Sequence, residues 1–185
     1  MAIFTKLTKK EIEHFLKHYS IGNLISYEGI VEGIENTNYK IKTSYHDYIL
    51  TIFEKRVNPK DLPFFSELMS ELNNKNFKCP VPIVNNQNET ITEYNGKKLM
   101  IVSFLEGKAK LALTPKDCKQ LGYEVAKMHE ITKDFKIKRK NDLSINSWRK
   151  LYNSVKTECS KIHPDLPRLI ESNLNDVEKN WPNNL

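Results

Sequence analysis

Residues 33–38, Gly-Ile-Glu-Asn-Thr-Asn, are the stretch whose residue types and spacing point most directly to chemistry. Gly33, Asn36 and Asn38 are of the types that most easily reach positive φ. A turn built from them can aim consecutive backbone N–H groups at an anion, as a phosphate-covering loop does. The same composition also serves an ordinary hairpin turn, and the residues themselves leave both readings open. Glu67 is the next candidate. It lies beside an apolar helical stripe, on a face shared with Phe64 and Glu71, where most glutamates are simply solvated. The cysteines offer less. Cys79, Cys118 and Cys159 stand about forty residues apart with no C-x-x-C pair. They indicate neither a disulfide framework nor a zinc site and read as buried or inert thiols.

These residues need elements to position them. Thr8-Lys9-Lys10-Glu11 fits a capping box, and Ile12, Phe15, Leu16 and Tyr19 follow at helical spacing, so a helix is expected over 8–19. The run from Gly29 to Lys55 reads as strands joined by polar turns. In it Tyr39, Ile41 and Thr43 alternate with Lys40, Lys42 and Ser44, and YILTIF is β-branched and aromatic. Asn58-Pro59 opens a second helix with Leu62, Phe65, Leu68, Met69 and Leu72 as its buried stripe. Cys79-Pro80-Val81-Pro82-Ile83 must be extended, because each Pro pushes its predecessor out of helical geometry. TITEY and KKLMIVSFL are two further strands about an Asn95-Gly96 hairpin. LMIVSFL is apolar throughout, as a strand covered on both faces would be.

Beyond Glu106-Gly107 the character becomes helical. Thr114-Pro115-Lys116-Asp117 starts a helix whose marked face is Cys118, Leu121, Gly122, Val125, Met128 and Thr132. Two more follow, on Trp148, Leu151, Tyr152, Val155, Cys159 and Ile162, and on Leu166, Leu169, Ile170, Leu174, Val177 and Trp181. The expected class is α+β: an antiparallel sheet with a helix, then helices alone.

A chain of 185 residues with 39% hydrophobic and 28% charged residues has the make-up of a globular protein able to bury a core. No run reaches the roughly 18–20 apolar residues of a membrane span. The N-terminus also lacks the apolar core of a signal peptide. A cytoplasmic protein with no membrane partner is expected. The net charge of +6 is concentrated in residues 133–150, which hold seven Lys/Arg against two Asp. With only Phe135 and Trp148 as aromatics and no recognisable binding motif there, an exposed, anion-facing connector is expected rather than a nucleic-acid surface.

Strand–turn–strand–strand, helix, two strands, linker and helices is the layout of a kinase small lobe entering its large lobe. The stretches MAIFTKLTKKEIEHFL, GIVEGIENTNYKI, YILTIFEK, LPFFSELMSELNNKNFKCPVPI, IVSFLEGK, LGYEVAKMHEIT and NDLSINSWRKLY carry a closer likeness. Through them the whole chain resembles the homoserine kinases of the aminoglycoside-phosphotransferase-like (choline-kinase-like) superfamily. IENTNY followed by LTIFE and the Leu-Pro-Phe helix favours homoserine kinases within it.

The resemblance implies ATP and Mg²⁺ as cofactors and L-homoserine as the acceptor. It implies a protein-kinase-like small lobe over 1–105, then a linker and the first helices of an incomplete large lobe over 106–185. Gly33, Ile34, Glu35, Asn36, Thr37 and Asn38 would lie over the phosphates. Glu67 would be the helix glutamate that pairs with a strand lysine. Ser103, Phe104 and Leu105 would be the adenine-facing linker, with the Ser103 carbonyl and the Leu105 N–H meeting the base edge. His129 would be a packing or hydrogen-bonding residue.

Two departures stand out. Where many relatives have Val-Leu-Lys, this chain has Ile49-Leu50-Thr51, so the usual Lys–Glu pair cannot form at Thr51. Lys55 shares its strand parity but stands about 13 Å further along; Lys40 and Lys42 on the neighbouring strand are the other substitutes. The superfamily also needs a catalytic-loop Asp with an Asn nearby, and a second Asp for Mg²⁺. His163-Pro164-Asp165-Leu166 is a poor match, because Ile170 stands where that Asn belongs. The family's own loop and metal ligands are expected beyond Leu185, leaving no catalytic or metal residue in this chain. Two rivals remain: a kinase for choline, an aminoglycoside or methylthioribose, and a non-catalytic nucleotide-binding module.

Overall fold

A computed structural model describes residues 3–55 and 57–182. The chain divides into two compact units, one running up to Lys138 and one starting at Arg139.

The first unit begins with the Ile3–Leu7 segment and helix α1 (Lys9–Leu16). The capping box forms: the Thr8 hydroxyl accepts from the Glu11 N–H, and Glu11 Oε2 accepts from the Thr8 N–H at 2.7 Å. α1 is shorter than the expected 8–19. The His18 and Tyr19 N–H groups reach back only three residues, to the Phe15 and Leu16 carbonyls, so the last turn tightens before the chain leaves. Strands β1 (Leu24–Ile30), β2 (Thr37–Thr43) and β3 (Asp47–Ile52) follow. The first strand starts upstream of Gly29, its Tyr27 and Gly29 lying opposite Ile41 and Tyr39 of β2. Pro59–Asp61 forms a 3₁₀ turn that leads into α2 (Leu62–Asn74); Asn58 caps that turn through the Lys60 N–H. β4 (Ile91–Tyr94) and β5 (Lys97–Ser103) are joined by Asn95-Gly96, with φ of 47° and 74°. Two consecutive positive φ values make the two-residue turn that matches strand twist.

The five strands form one antiparallel sheet in the order β1-β2-β3-β5-β4. Period two sorts β2 and β3 into two faces. Tyr39, Ile41, Tyr48, Leu50 and Ile52 join Leu99 and Ile101 of β5 in a core with Ile12, Phe15, Leu16 and Tyr19 around α1. Asn38, Lys40, Lys42, Ile49 and Thr51 occupy the opposite face. β5 is buried at Leu99, Met100, Ile101 and Val102, as expected of a strand covered on both sides.

α3 (Pro115–Thr132) belongs to the same unit and contacts α2, with Lys75 Nζ donating to the Ile131 carbonyl at 2.9 Å. Its Thr114–Asp117 capping box forms, but its marked face does not become core: no residue of α3 is buried, and Leu121 is 63% exposed. Helical periodicity shows which face can be covered, not that a partner covers it. Of the three cysteines read as buried or inert, Cys159 is buried, Cys79 half-buried and Cys118 exposed.

The second unit is the hairpin of α4 (Ile145–Ile162) and α5 (Leu166–Asn180), closed over Tyr152, Cys159 and Leu174. Arg149 on α4 binds Glu171 and Glu178 on α5, at 2.8 and 2.7 Å. Arg139 pairs with Asp142, so part of the charge in 133–150 is neutralised within the unit. His163–Asp165 is the turn between these helices.

Ile41 is fully buried at the centre of the sheet, so Ile41→Ala should cost about 3 kcal/mol by equilibrium denaturation. Hydrogen bonds from the Thr8 hydroxyl, the Tyr94 hydroxyl and the Thr8 N–H hold the Glu11 carboxyl down to about 2, from 4.5. A depressed carboxyl contributes stability above its ordinary value and loses it as pH falls through the folded one. The stability advantage of wild type over Glu11→Gln should therefore shrink between pH 4.5 and about 2, measured by denaturant midpoints.

Candidate nucleotide site

The sheet face away from α1 carries the candidate residues. Across it, Glu28 stands opposite Lys40 and Ser26 opposite Lys42. Lys40 in turn faces Ile49, Lys42 faces Asp47, and Asn38 faces Thr51. Over β1, β2 and the start of β3 the face is polar and mixed in charge, and on β5 it gives way to the buried Met100 and Val102.

The 33–38 turn bridges β1 and β2. Gly33 takes φ of 107°, a conformation that L side chains rarely adopt. Gly33, Ile34 and Glu35 are exposed, Ile34 at 75%. Asn36 turns back, its side-chain oxygen accepting from the Glu54 N–H at 3.3 Å. Thr37 is fully buried with its side chain on the α1 side, so only its backbone is available to the open face. Asn38 returns to the open face and accepts a 2.8 Å hydrogen bond from the Thr51 hydroxyl. Thr51, where a strand lysine is expected from the resemblance, is thus engaged with the turn.

Glu67 is exposed on α2 and has no ion-pair or hydrogen-bond partner among the described residues. None of the three lysines pairs with it. Lys40 Nζ lies 3.2 Å from Asp47 Oδ2 and 4.2 Å from the centroid of the Phe104 ring. Lys42 is exposed. Lys55 lies beyond the end of β3, where strand parity no longer governs it.

The linker is secured from both sides. Ser103 donates its N–H to the Val81 carbonyl and accepts the Val81 N–H on its hydroxyl, each at 2.9 Å. The Phe104 N–H reaches the Asp47 carbonyl at 3.2 Å, and Leu105 is exposed. Beside Ser103 and Phe104 a recess of about 630 Å³ is lined also by Lys42, His46, Asp47 and Ile83. A second recess of about 600 Å³, between α1 and residues 85–95, lies on the α1 side, away from all these residues. His129 is exposed near the end of α3. Among the described residues, no three His, Cys, Asp or Glu side chains come together as metal ligands.

The structure also gathers a polar cluster that sequence reasoning missed. Glu54, just past β3, has a side chain only 9% exposed and an ion pair with Lys97 at 2.5 Å. Its carboxylate also accepts from the Thr5 and Thr37 hydroxyls, at 2.7 and 2.8 Å. Burial pushes this carboxyl up, but the bonds from Lys97, Thr5 and Thr37 outweigh it and leave it below its ordinary value. The only local signal was a charged residue at the end of LTIFE; its partners are far away in the chain.

Residues 26–185 match the phosphotransferase enzyme family. The chain belongs to it. Similar proteins include enzymes named homoserine kinase from Mesorhizobium japonicum, 40% identical, and Brucella anthropi, 41% identical. Each alignment spans all 185 residues here but only 58% and 57% of the relative. The chain therefore spans little more than half the length of the curated relatives it matches. Among solved structures, a spectinomycin phosphotransferase in complex with ADP and spectinomycin aligns with a TM-score of 0.62 at 15% identity, over 97% of this chain and 60% of that one. A microcompartment-associated aminopropanol kinase aligns with a TM-score of 0.58 at 15% identity, over 88% and 58%. The antiparallel sheet and helices are those of a kinase-like α+β fold.

Removing the Thr51 donor leaves the half-buried Asn38 carbonyl to find water. Thr51→Val should lower unfolding free energy by about 1 kcal/mol in denaturant titrations.

Proposed function

We propose that this chain is the ATP-binding front portion of a homoserine kinase. The parent protein would transfer the γ-phosphoryl group of ATP to the side-chain hydroxyl of L-homoserine, giving ADP and O-phospho-L-homoserine on the route to threonine. The observation that carries this reading is identity of 40–41%, along the whole of this chain, to enzymes of that name. The ADP complex of the spectinomycin phosphotransferase supports a nucleotide as the ligand of the shared fold.

In this reading Gly33–Asn38 covers the phosphates with its backbone N–H groups. Ser103, Phe104 and Leu105 meet the base, and the polar open face between them carries Thr51. Residues 1–105 act as the nucleotide-binding lobe and 106–185 as the linker and opening helices of the second. Glu67 faces solvent without a lysine, so closing that pair requires a rearrangement of α2 or a cation from elsewhere. Mg²⁺ would screen charge between the phosphate oxygens. The described residues do not supply its ligands. What they offer is positioning of the nucleotide, which is much of what catalysis of phosphoryl transfer consists of. No helix among the described residues is long and apolar enough to cross a membrane; the parent kinase would act in the cytoplasm.

The test is phosphoryl transfer by a polypeptide completed to the length of its relatives, followed as ADP release. L-homoserine should be turned over in preference to choline, aminoglycosides and methylthioribose, and preference for one of those would overturn the assignment. The 185-residue chain alone should bind ATP with negligible turnover. Turnover of homoserine by it, abolished by Mg²⁺ removal, would show that the chemistry also resides here.

A further inference from the structure

Glu54 holds two successive residues of the 33–38 turn at once. Its backbone N–H donates to the Asn36 side chain, and its carboxylate accepts the Thr37 hydroxyl. That hydroxyl is used to capacity, with one proton to donate and two lone pairs to accept. It donates to Glu54 Oε1 and accepts the N–H groups of Phe4 and Thr5, at 2.9 and 3.1 Å. Thr5 completes a ring: its hydroxyl donates to Glu54 Oε1 and accepts from Lys97 Nζ at 2.7 Å, while Lys97 also binds Glu54 Oε2. Leu7 fastens the same segment to β2, its N–H donating to the Tyr39 hydroxyl at 2.9 Å. The N-terminal segment, the end of β3, the start of β5 and the descending arm of the turn therefore meet at one nearly buried carboxylate.

We propose that Glu54 is a positioning residue for the phosphates of a bound nucleoside di- or triphosphate: with Lys97 and Thr5 it clamps Asn36 and Thr37, and so aims the turn's backbone N–H groups. This rests on the nucleotide-binding reading above. Glu54 does not touch the phosphates. Thr37 faces the α1 side, so the cluster acts from behind the sheet through the backbone. Its position predicts a selective effect, because the base-facing linker at Ser103–Leu105 shares none of these bonds. Hydrogen bonds to charged groups are strong enough that losing this clamp should weaken phosphate contacts about tenfold.

The experiment compares ATP, ADP and adenosine binding by calorimetry to the 185-residue chain, to Glu54→Gln and to Thr37→Val. Thr37→Val keeps the Glu54–Lys97 pair and the β-branched shape but removes the shared hydroxyl. Both variants should raise the Kd for ATP and ADP about tenfold and that for adenosine less than about twofold. Hydrogen exchange without ligand should show faster exchange at Phe4 and Thr5 in both variants, while Ile41 and Leu50 keep their protection. Equal losses for all three ligands would mean a merely structural role and overturn the proposal, as would no loss. A wild-type chain that binds no ATP would overturn the kinase reading and this role with it. Wild-type ATP binding with unchanged variants would sink the positioning role alone.

Discussion

Strand alternation in β2 is the constraint on which the rest of the structure depends. A pleated strand sends successive side chains to opposite faces, so burying Thr37, Tyr39, Ile41 and Thr43 obliges Asn38, Lys40 and Lys42 to face the other way. A slip of one residue would exchange the two sets and place two lysines in the core. The hydrophobic effect thus fixes the register, and the register delivers the polar face. The same logic carries through β3, where Tyr48, Leu50 and Ile52 are buried and Asp47, Ile49 and Thr51 are only partly so.

Thr37 is where the two faces are joined. It is a polar residue at a core position, tolerated because every hydrogen-bonding capacity of its hydroxyl is met. Glu54 is tolerated beside it for the same reason. A carboxylate this buried would be costly alone, and Lys97 with two hydroxyls offsets that cost. The arrangement is a fully satisfied polar network at the edge of an apolar core, a type of structure that rigidifies what it touches. It touches the 33–38 turn through Asn36 and Thr37.

The open face carries a hydroxyl at Thr51, where the resemblance leads one to expect a strand lysine. Thr51 cannot make an ion pair, and its hydroxyl instead binds Asn38 across the strand pair. Lys40 does not compensate by reaching Glu67. It pairs with Asp47 and lies against Phe104, because register places it beside the start of β3 and the linker rather than toward α2. Lys40, Lys42 and Lys55 were the candidate substitutes, and the geometry leaves none of them on Glu67.

Much of the fold was legible in the residues. Capping boxes at Thr8 and Thr114, the Asn95-Gly96 hairpin and the alternation in β2 are local signals, decided by neighbours within a few positions, and the structure contains each of them. The burial of β5 on both faces followed from its unbroken apolar run, whereas the order of the strands came only with the folded sheet. What the tertiary structure alone decided is where long-range polar partners meet. Thr5, Thr37, Glu54 and Lys97 are dispersed along the chain, and no spacing rule joins them; they converge because the N-terminal segment folds back over the sheet. The open face of α3 belongs to the same category. Periodicity named Leu121 and Val125 as candidates for burial, but burial requires a partner surface, and one helix's sequence does not encode another's position.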